Sequence, residues 1–341
     1  MRMLSARSVH ALRRLFPVCW AVCRRGLTCF QLTSRGLVRV QGPDTETFLQ
    51  GLLTNDVHHM HMEDRRSLYA HILNVGGRTL YDVILYRLHG SQDEEQNILL
   101  ECDWSALDSI LKLLKVYTIR RKVNLSPCPE LSLWAVLPSE PTENVPSTLQ
   151  NCQDASTFLA PDPRVSAMGW RVVTSKDQNL PAVVPGTQIG NVKEYHTYRY
   201  QKGIPEGLQD LPPGVALPLE SNLDYMNGIS FSKGCYIGQE LTARTHHTGV
   251  IRKRLMPVHL LQPFPPELSV IPSGAEIATL SGKSAGKYRA GEDANGLALL
   301  RLAHIKEQLC VKVLDTSLDL TVSFPEWWPQ GVKNELGFPE V

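Results

Sequence analysis

The chain has 341 residues, of which 43% are apolar and 20% are charged, and its formal net charge is +1 at pH 7. This length predicts two or three domains, and the composition is typical of a soluble globular protein. No apolar run approaches the roughly 18 residues that a membrane-spanning helix requires, so membrane insertion is not expected.

The N-terminal segment has the composition of a targeting sequence. The first 43 residues contain eight arginines and no acidic residue. Such a segment predicts a mitochondrial transit peptide over residues 1–28, and therefore a location in the mitochondrial matrix; a disordered basic arm is the alternative. Its removal would leave acidic residues in excess, so nucleic acid is not an expected partner.

The cysteines do not form a recognisable framework. Three of the eight lie in or beside the predicted transit peptide, and the sequence contains no CxxC motif and no Cys/His ligand spacing. Neither a zinc site nor a complete iron–sulfur site is therefore predicted from this chain alone, and a matrix protein is not expected to rely on disulfides. The remaining cysteines are Cys102, Cys128, Cys152, Cys235 and Cys310.

An N-terminal α+β domain is predicted over residues 29–125. It begins with a strand near Leu37 and continues into a helix at Asp44, where an Asp cap with Glu46 in the first turn suits the helix dipole. The helix presents an apolar stripe to the core. This stripe consists of Phe48, Leu49, Leu52 and Leu53.

The next segments predict a β-hairpin, a further strand and a second helix. SLYAHILN and TLYDVILYRL flank a turn at Gly76-Gly77, and a strand follows over Asn97–Cys102. Asp103 can cap the helix, whose apolar residues recur at helical spacing. These apolar residues are Trp104, Leu107, Ile110, Leu111 and Leu114.

A second α+β domain is predicted over residues 126–245, and a β-barrel over residues 246–341. Residues 138–154 are rich in Pro, Ser, Thr and Asn and predict a linker or insertion. GWRVVTS predicts a strand, NVKEYHTYRYQ a helix, and PEGLQDLPPGVALPLES a long ordered loop. From about Val250 onward, short strands separated by Gly and Pro predict a small barrel or sandwich.

The segment FSKGCYIGQE presents a cysteine between two glycines. Gly234 and Gly238 permit a turn that exposes the thiol of Cys235. An ammonium group at Lys233 would favour the thiolate, which is the form that attacks electrophiles and ligates metals. The alternative is that Cys235 is a small buried apolar residue.

Several segments resemble the YgfZ branch of the aminomethyltransferase (glycine cleavage T protein) superfamily. KGCYIGQE resembles the signature of this branch, and GPDTETFLQGLLTNDV resembles the opening strand–helix pattern of the superfamily. GGRTLYDVIL is similar to the glycine hairpin that leads to its folate-site acid. RYQKGIPEG and LPLESNLDYMNGISFSKGCYIGQELTAR resemble the block that ends in the signature. The resemblance extends from about Phe30 to about Pro325.

The resemblance implies an α+β, aminomethyltransferase-like (T-protein) fold with antiparallel sheets, packed helices and a C-terminal β-barrel. It also implies a folate-type cleft in which Asp82 hydrogen-bonds a pterin edge. True aminomethyltransferases have two adjacent acids after the hairpin, whereas Tyr81 precedes Asp82 here. Their amine-transferring members also do not generally carry the signature cysteine. Aminomethyl transfer therefore does not follow from the resemblance.

The other candidate cofactor-binding residues lie in the segments that carry the resemblance. Arg199 and Arg244 are candidates for a folate carboxylate or an acid of a partner protein. Each candidate has a structural alternative in a turn, a cap or a solvated face. The candidate set is Asp82, Arg199, Glu220, Gly234, Gly238, Gln239, Glu240 and Arg244.

Together with the transit peptide, the resemblance points to the Iba type of late-acting factor that helps mature [4Fe-4S] proteins with A-type scaffold proteins. A cluster generally needs four protein ligands, so Cys235 would supply one metal ligand to a [2Fe-2S] cluster shared with the scaffold. The expected state is a monomer or a heterodimer with the scaffold. A folate-dependent one-carbon transferase that binds tetrahydrofolate is one alternative, and a thiol redox enzyme is the other.

Two histidine groups and one basic run have other possible roles. HHMHM at residues 58–62 and His246-His247 could bind a metal, but a solvated loop is the preferred interpretation because neither has the expected ligand spacing. The run Arg252, Lys253 and Arg254 predicts a solvated strand face on which an acidic partner could dock.

Overall fold

The computed structural model describes residues 26–62, 65–88, 97–138, 158–180, 184, 186–264, 270–313 and 316–337. These residues form two five-stranded sheets and a closed six-stranded barrel. No helix among them is long and apolar enough to cross a membrane. The predicted transit peptide lies outside the described residues except for residues 26–28.

The regular elements follow one another in this order. The first part of the chain contains β1 Leu27–Gln31, β2 Arg35–Gln41, α1 Thr45–Gln50, β3 Ser67–Leu73, β4 Thr79–Arg87, β5 Asn97–Asp103, α2 Leu107–Tyr117, β6 Asn124–Pro127 and β7 Leu131–Pro138. The middle contains β8 Phe158–Pro161, β9 Trp170–Ser175, β10 Thr187–Ile189, α3 Val192–Gln201, α4 Gly207–Asp210 and α5 Gln239–Thr248. The last part contains β11 Lys253–Leu260, β12 Glu276–Thr279, β13 Ser284–Glu292, β14 Asn295–Arg301, β15 Leu309–Val313, β16 Thr316–Val322 and α6 Gln330–Glu335.

The first sheet has the strand order β3-β4-β5-β2-β6, and all of its strand pairs are antiparallel. The second sheet has the order β10-β1-β7-β9-β8, in which only the β1–β10 pair is parallel. The barrel closes in the order β11-β14-β13-β12-β15-β16. The predicted fold class, an α+β fold with antiparallel sheets and a C-terminal barrel, is confirmed.

The chain does not fill the two sheets strictly in sequence order. β1 pairs with β7 and β10 of the second sheet before β2 enters the first sheet. Leu27 and Thr28 already belong to β1, so a presequence boundary at residue 28 would remove the start of this strand. The predicted domain boundaries at residues 125 and 245 stay predictions. Most of the predicted linker lies outside the described residues.

Most local predictions agree with the elements. SLYAHILN and TLYDVILYRL form the β3–β4 hairpin, and NVKEYHTYRYQ forms α3, which Asn191 and Glu194 cap reciprocally. Three details differ. Asp44 makes no cap bond to α1 and instead accepts from the Lys122 N–H at 2.7 Å. Trp104, assigned from sequence to the second helix, precedes α2 and is 55% exposed. The predicted ordered loop contains the short helix α4.

Side chains along the strands of the first sheet point alternately to its two faces, which lie in different environments. Val83 and Leu85 of β4 face the core under α1 and α2, whereas Asp82 and Ile84 face the opposite side. Glu101 of β5 pairs directly with Ile84 of β4, so it faces the same side as Asp82. The carboxylates of Asp82 and Glu101 therefore both lie in the layer where the two sheets meet.

Candidate functional site

The signature loop, residues 228–238, packs against the segment that follows α1. The Ile237 N–H donates to the Gly51 carbonyl at 3.1 Å, and the Ser230 N–H donates to the Thr54 carbonyl at 3.0 Å. The Thr54 hydroxyl donates in turn to the Gly228 carbonyl at 2.7 Å. These backbone contacts hold both ends of the loop on the first sheet's helical layer.

Lys233 anchors the middle of this loop. Its Nζ donates to the carbonyl oxygens of Gln50, Leu53 and Asn55 at 2.8, 2.7 and 2.7 Å. An ammonium group has three N–H donors, so all of them are used. Burial lowers the pKa of Lys233 to about 8. The N–H donors of Lys233 therefore anchor the loop through backbone carbonyls. The effect of its charge on the Cys235 thiolate stays a prediction.

Cys235 lies at the exposed part of the loop. It is the exposed member of the cysteines in the described residues, since Cys29, Cys102, Cys128 and Cys310 are all buried. Burial raises the pKa of Cys102 to about 12. No heavy atom lies within 4 Å of the position that a Cβ on Gly234 would occupy. The backbone beside Cys235 is therefore open to an approaching partner.

Gly238 brings the end of the loop against the β3–β4 hairpin. Its φ is +79°, and a Cβ there would overlap the Asn74 carbonyl oxygen and lie 2.9 Å from the Leu73 Cβ. Gly77 faces it from the hairpin turn, with φ +76°. Both positions require glycine because the backbones touch and the conformation is left-handed.

The residues after the glycine begin α5 and have local partners. The Gln239 Oε1 accepts from the Tyr236 N–H at 3.1 Å across the turn. Glu240 and Arg244 form an i, i+4 ion pair at 2.7 Å, with side chains 85% and 66% exposed. This pair has the geometry of an ordinary solvated helix face, and its contribution to stability is small. The structure does not place either residue in a cleft with Asp82.

Asp82 is buried in the layer between the sheets. Its side chain is 2% exposed, lies 3.1 Å from the Arg35 guanidinium, and accepts from the Gly207 N–H at 3.1 Å. Arg35 also donates to Glu101 at 2.8 Å. The surface-acid alternative for Asp82 is wrong, because this carboxylate lies within an internal charge cluster.

This charge cluster joins the two sheets and the segment before α4. Arg171 contacts Asp162 at 3.1 Å, Glu206 at 2.7 Å and Glu101 at 3.6 Å, and Arg164 contacts Asp162 and Glu206 at 2.7 and 2.8 Å. Burial alone would raise the pKa of Glu206, but Arg171 and Arg164 outweigh it and hold that pKa well below its usual value. The cluster consists of Arg35, Asp82, Glu101, Asp162, Arg164, Arg171 and Glu206.

The sequence interpretation missed most of this cluster. Glu101 lies within the apolar run NILLECD, and Arg171 lies within the strand GWRVVTS. A charged residue at an inward-facing strand position needs a partner, because an unpaired buried charge is too costly. That pattern was the available signal, although it does not identify the partner.

Arg199 is also committed to internal partners. It is buried and forms an ion pair with Asp210, and it donates to the Ile204 carbonyl at 3.2 Å and the Tyr200 hydroxyl at 3.0 Å. A folate carboxylate would compete with Asp210 for Arg199. A pterin would share the Asp82 carboxylate with Arg35, and the Oδ2 atom of Asp82 accepts no hydrogen bond from the described residues. Folate contacts of Asp82 and Arg199 stay predictions.

The histidine groups do not lie in the loops that the sequence favoured, because residues 58–61 belong to a short 3-10 helix and His246 and His247 belong to α5. The described residues contain no group of three or more His, Cys, Asp or Glu side chains that could hold a metal ion. His61 instead lies 2.8 Å from Glu46, and His246 stacks on Phe231 with ring centroids 3.6 Å apart. This stack joins α5 to the beginning of the signature loop.

Replacing Lys233 with methionine tests the anchoring role. We expect the free energy of unfolding to fall by about 2 kcal/mol, because three carbonyl groups lose a charged donor. The rate at which iodoacetamide alkylates native Cys235 should change less than about twofold, because the thiol is already exposed. Lys312→Met, at an exposed barrel position, is the control and should change neither quantity. A large loss of thiol reactivity with unchanged stability would contradict anchoring.

Comparison with known proteins defines the class first. Residues 252–330 match the CAF17 C-terminal beta-barrel domain family. The whole fold is similar to that of the glycine cleavage system aminomethyltransferase T from Bartonella henselae, with a TM-score of 0.69 and 15% identity over 89% of this chain and 87% of that one. The protein therefore has an aminomethyltransferase-like fold that ends in a CAF17-type barrel.

Sequence relatives then give the family. The chain is 50% identical over 339 residues to the mitochondrial iron-sulfur cluster assembly factor IBA57 of Mus musculus, covering 97% of this chain and 94% of that protein. The protein of the same name from Homo sapiens is 52% identical over 308 residues, covering 88% and 85%. The chain belongs to the IBA57 family of mitochondrial iron–sulfur cluster assembly factors. The predicted family and mitochondrial location are confirmed.

Proposed function

We propose that this protein assists the maturation of mitochondrial [4Fe-4S] proteins, and that Cys235 supplies one thiolate to a cluster shared with an A-type scaffold protein. The observation that carries the proposal is the contrast between Cys235 and the other cysteines of the described residues. Cys235 is exposed on an anchored loop, whereas those others are buried. A thiol must reach its partner to become a shared ligand.

Ligand number supports a shared cluster. An iron–sulfur cluster generally needs four protein ligands, and the described residues contain one exposed cysteine. The remaining ligands would come from the scaffold, and the cluster is cargo that passes between the proteins. The protein would act in the matrix as a monomer that forms a heterodimer with the scaffold.

The anchoring of the loop also supports this role. Lys233 and Ile237 bind the α1 segment on both sides of Cys235. Such contacts reduce the conformational freedom that the thiol would lose on binding, so they favour association. The open space beside Gly234 would leave room for the partner's own ligands.

The test compares Cys235→Ala with Cys128→Ala, which removes a buried thiol instead. Each purified variant is mixed with an A-type scaffold that carries a [2Fe-2S] cluster, and complex formation and the visible spectrum of the cluster are measured. We expect wild type and Cys128→Ala to form a complex with an altered cluster spectrum, and Cys235→Ala to lose at least about tenfold in affinity. Identical spectra and affinities for wild type and Cys235→Ala would refute the shared ligand.

Cells that lack the protein provide the second readout. Activities of [4Fe-4S] enzymes should recover with wild type and Cys128→Ala and recover poorly with Cys235→Ala. Full recovery with Cys235→Ala would restrict the thiol to a packing role.

Folate-dependent one-carbon transfer stays an alternative prediction. An aminomethyltransferase-like fold does not by itself convey this reaction. Asp82 and Arg199 already have internal partners, so no step of the proposal depends on folate. Transfer of a labelled one-carbon unit from tetrahydrofolate by the purified protein would favour the alternative.

A further inference from the structure

An open groove of about 460 Å³ lies where the β3–β4 hairpin, α5 and the barrel meet. Leu241, Thr242 and Thr245 of α5 form one wall, and the start of β11 and the end of β14 form another. Its volume is within the range of ordinary binding sites. The proposed function makes no use of this groove.

Three cations of the described residues line the groove. Arg252, Lys253 and Arg301 all contribute to the lining, and no carboxylate of the described residues lies within ion-pair distance of their side chains. The neighbouring Arg254 shows the contrast, because it is buried and contacts Asp224 through both carboxylate oxygens at 2.8 and 3.0 Å. The sequence run Arg252 to Arg254 thus divides into two groove cations and one structural arginine.

The strand register brings two of these cations together. Lys253 of β11 lies directly opposite Arg301 of β14. Like charges at directly opposite positions of an antiparallel pair repel each other and destabilise the sheet. A bound anion between them would relieve this repulsion, so the pair is arranged for a negatively charged ligand.

The remaining lining determines what kind of anion fits. Glu220 is the acidic residue of the lining, so the three cations leave a positive excess. Apolar side chains lie beside them, and one of these, Val250, is 77% exposed. The lining therefore offers apolar contacts beside its positive charges. The apolar lining residues are Leu217, Pro218, Leu219, Leu241, Val250 and Ile251.

We propose that this groove binds an acidic segment of a partner protein, an extended stretch in which Asp or Glu residues alternate with apolar ones. Side chains of an extended segment point alternately to opposite sides, and the groove offers cations and apolar side chains next to each other. Because the groove between α5 and the barrel is open, a partner's polypeptide chain can continue beyond it at both ends. A closed cavity does not permit this. Complementary charge would speed association and select the partner.

The test uses a short fluorescent peptide that alternates glutamate and leucine, with a glutamine–leucine peptide as the uncharged comparison. Fluorescence anisotropy measures binding to the full-length protein. We expect the acidic peptide to bind, and the charge reversal Arg252→Glu/Lys253→Glu to weaken it at least about tenfold. Raising the salt concentration should also weaken binding, because these charges are exposed to solvent. Glu220→Gln should strengthen it.

The matched control reverses two other exposed cations of the barrel, Lys283→Glu/Lys312→Glu, which do not line the groove. It changes the net charge by the same amount and should bind the acidic peptide as wild type does. Equal weakening by the two double variants would mean general charge attraction and overturn the proposal. The proposal would also be overturned if the two peptides bound equally or if the acidic peptide did not bind. Displacement of the acidic peptide by succinate, at a concentration similar to that of the peptide, would overturn it as well.

The groove and the thiol can be tested separately. Cys235→Ala should bind the acidic peptide with the affinity of wild type, because Cys235 does not line the groove. Loss of peptide binding in Cys235→Ala would contradict a separate site. Failure of the scaffold experiment would leave the groove result unchanged, since the peptide assay contains neither iron nor scaffold.

Discussion

Replacing Arg171 with methionine is expected to lower the free energy of unfolding by about 3–5 kcal/mol. Arg171 lies at the centre of the charge cluster, where it contacts Asp162, Glu206 and Glu101. All of these side chains are buried. Without Arg171, the carboxylates would remain in a medium of low polarity with fewer compensating charges. Urea unfolding, followed by fluorescence of the chain's tryptophans, measures the loss.

Arg244→Met is the matched control, because it removes an arginine from an exposed ion pair with Glu240. Its effect should stay below about 0.5 kcal/mol. A second variant, Arg171→Met/Glu206→Gln, should recover part of the loss, since it removes one unpaired carboxylate as well. If Arg171→Met is as stable as Arg244→Met, the buried cluster does not stabilise the contact between the sheets.

Gly238→Ala is expected to cost at least about 3 kcal/mol and to displace the signature loop. The left-handed conformation at φ +79° alone costs an alanine about 1–2 kcal/mol. Its Cβ would also overlap the Asn74 carbonyl, so the β3–β4 hairpin or the loop must move. Thermal unfolding reports the stability, and amide hydrogen exchange at Tyr236 to Gln239 reports the movement.

Gly234→Ala separates this effect from a general intolerance of the signature. Its Cβ would meet no heavy atom within 4 Å, so stability should change by less than about 0.5 kcal/mol. The two variants add the same methyl group four residues apart in one loop. Comparable losses for both would show that contact with the hairpin is not what requires glycine at Gly238. Because Gly238→Ala displaces the loop that carries Cys235 and Gly234→Ala does not, Gly238→Ala should also reduce scaffold binding more than Gly234→Ala.

The hairpin contact connects the fold to the proposed site. Asp82 and Gly77 belong to the same β-hairpin unit, whose strand β4 reaches the charge cluster and whose turn touches Gly238. The cluster holds the two sheets together, and the hairpin turn supports the loop of Cys235. The position of an exposed thiol therefore depends on buried contacts that the cysteine does not make itself.

Prediction from sequence worked where the determining interactions are local. The β3–β4 hairpin agrees with the strands predicted on either side of Gly76-Gly77, and α3 agrees with the helix predicted for NVKEYHTYRYQ. Helical spacing alone did not show that the Trp104 side chain is exposed. Periodicity shows which side chains share a face, but the packing partner decides whether that face is covered.

The sequence did not predict the partners that the candidate site residues find among distant residues. Lys233 was interpreted through its neighbour Cys235, two positions away, whereas its ammonium bonds carbonyl groups about 180 positions earlier in the chain. Asp82 was interpreted as a ligand for folate, whereas Arg35 and Gly207 bind it internally. A charged residue in a sequence shows that a partner is needed, but the chain topology selects that partner.

The sequence by itself determined the family resemblance, the fold class, some of the strands and helices, and the prominence of the KGCYIGQE segment, because these depend on local patterns and turn residues. The tertiary structure alone decided which charges are structural and which are free. Arg254 and Lys253 are adjacent in sequence, yet one is buried against Asp224 and the other lines an open groove. Long-range packing brings carboxylates to some cations and leaves others to solvent, and no local pattern contains that information.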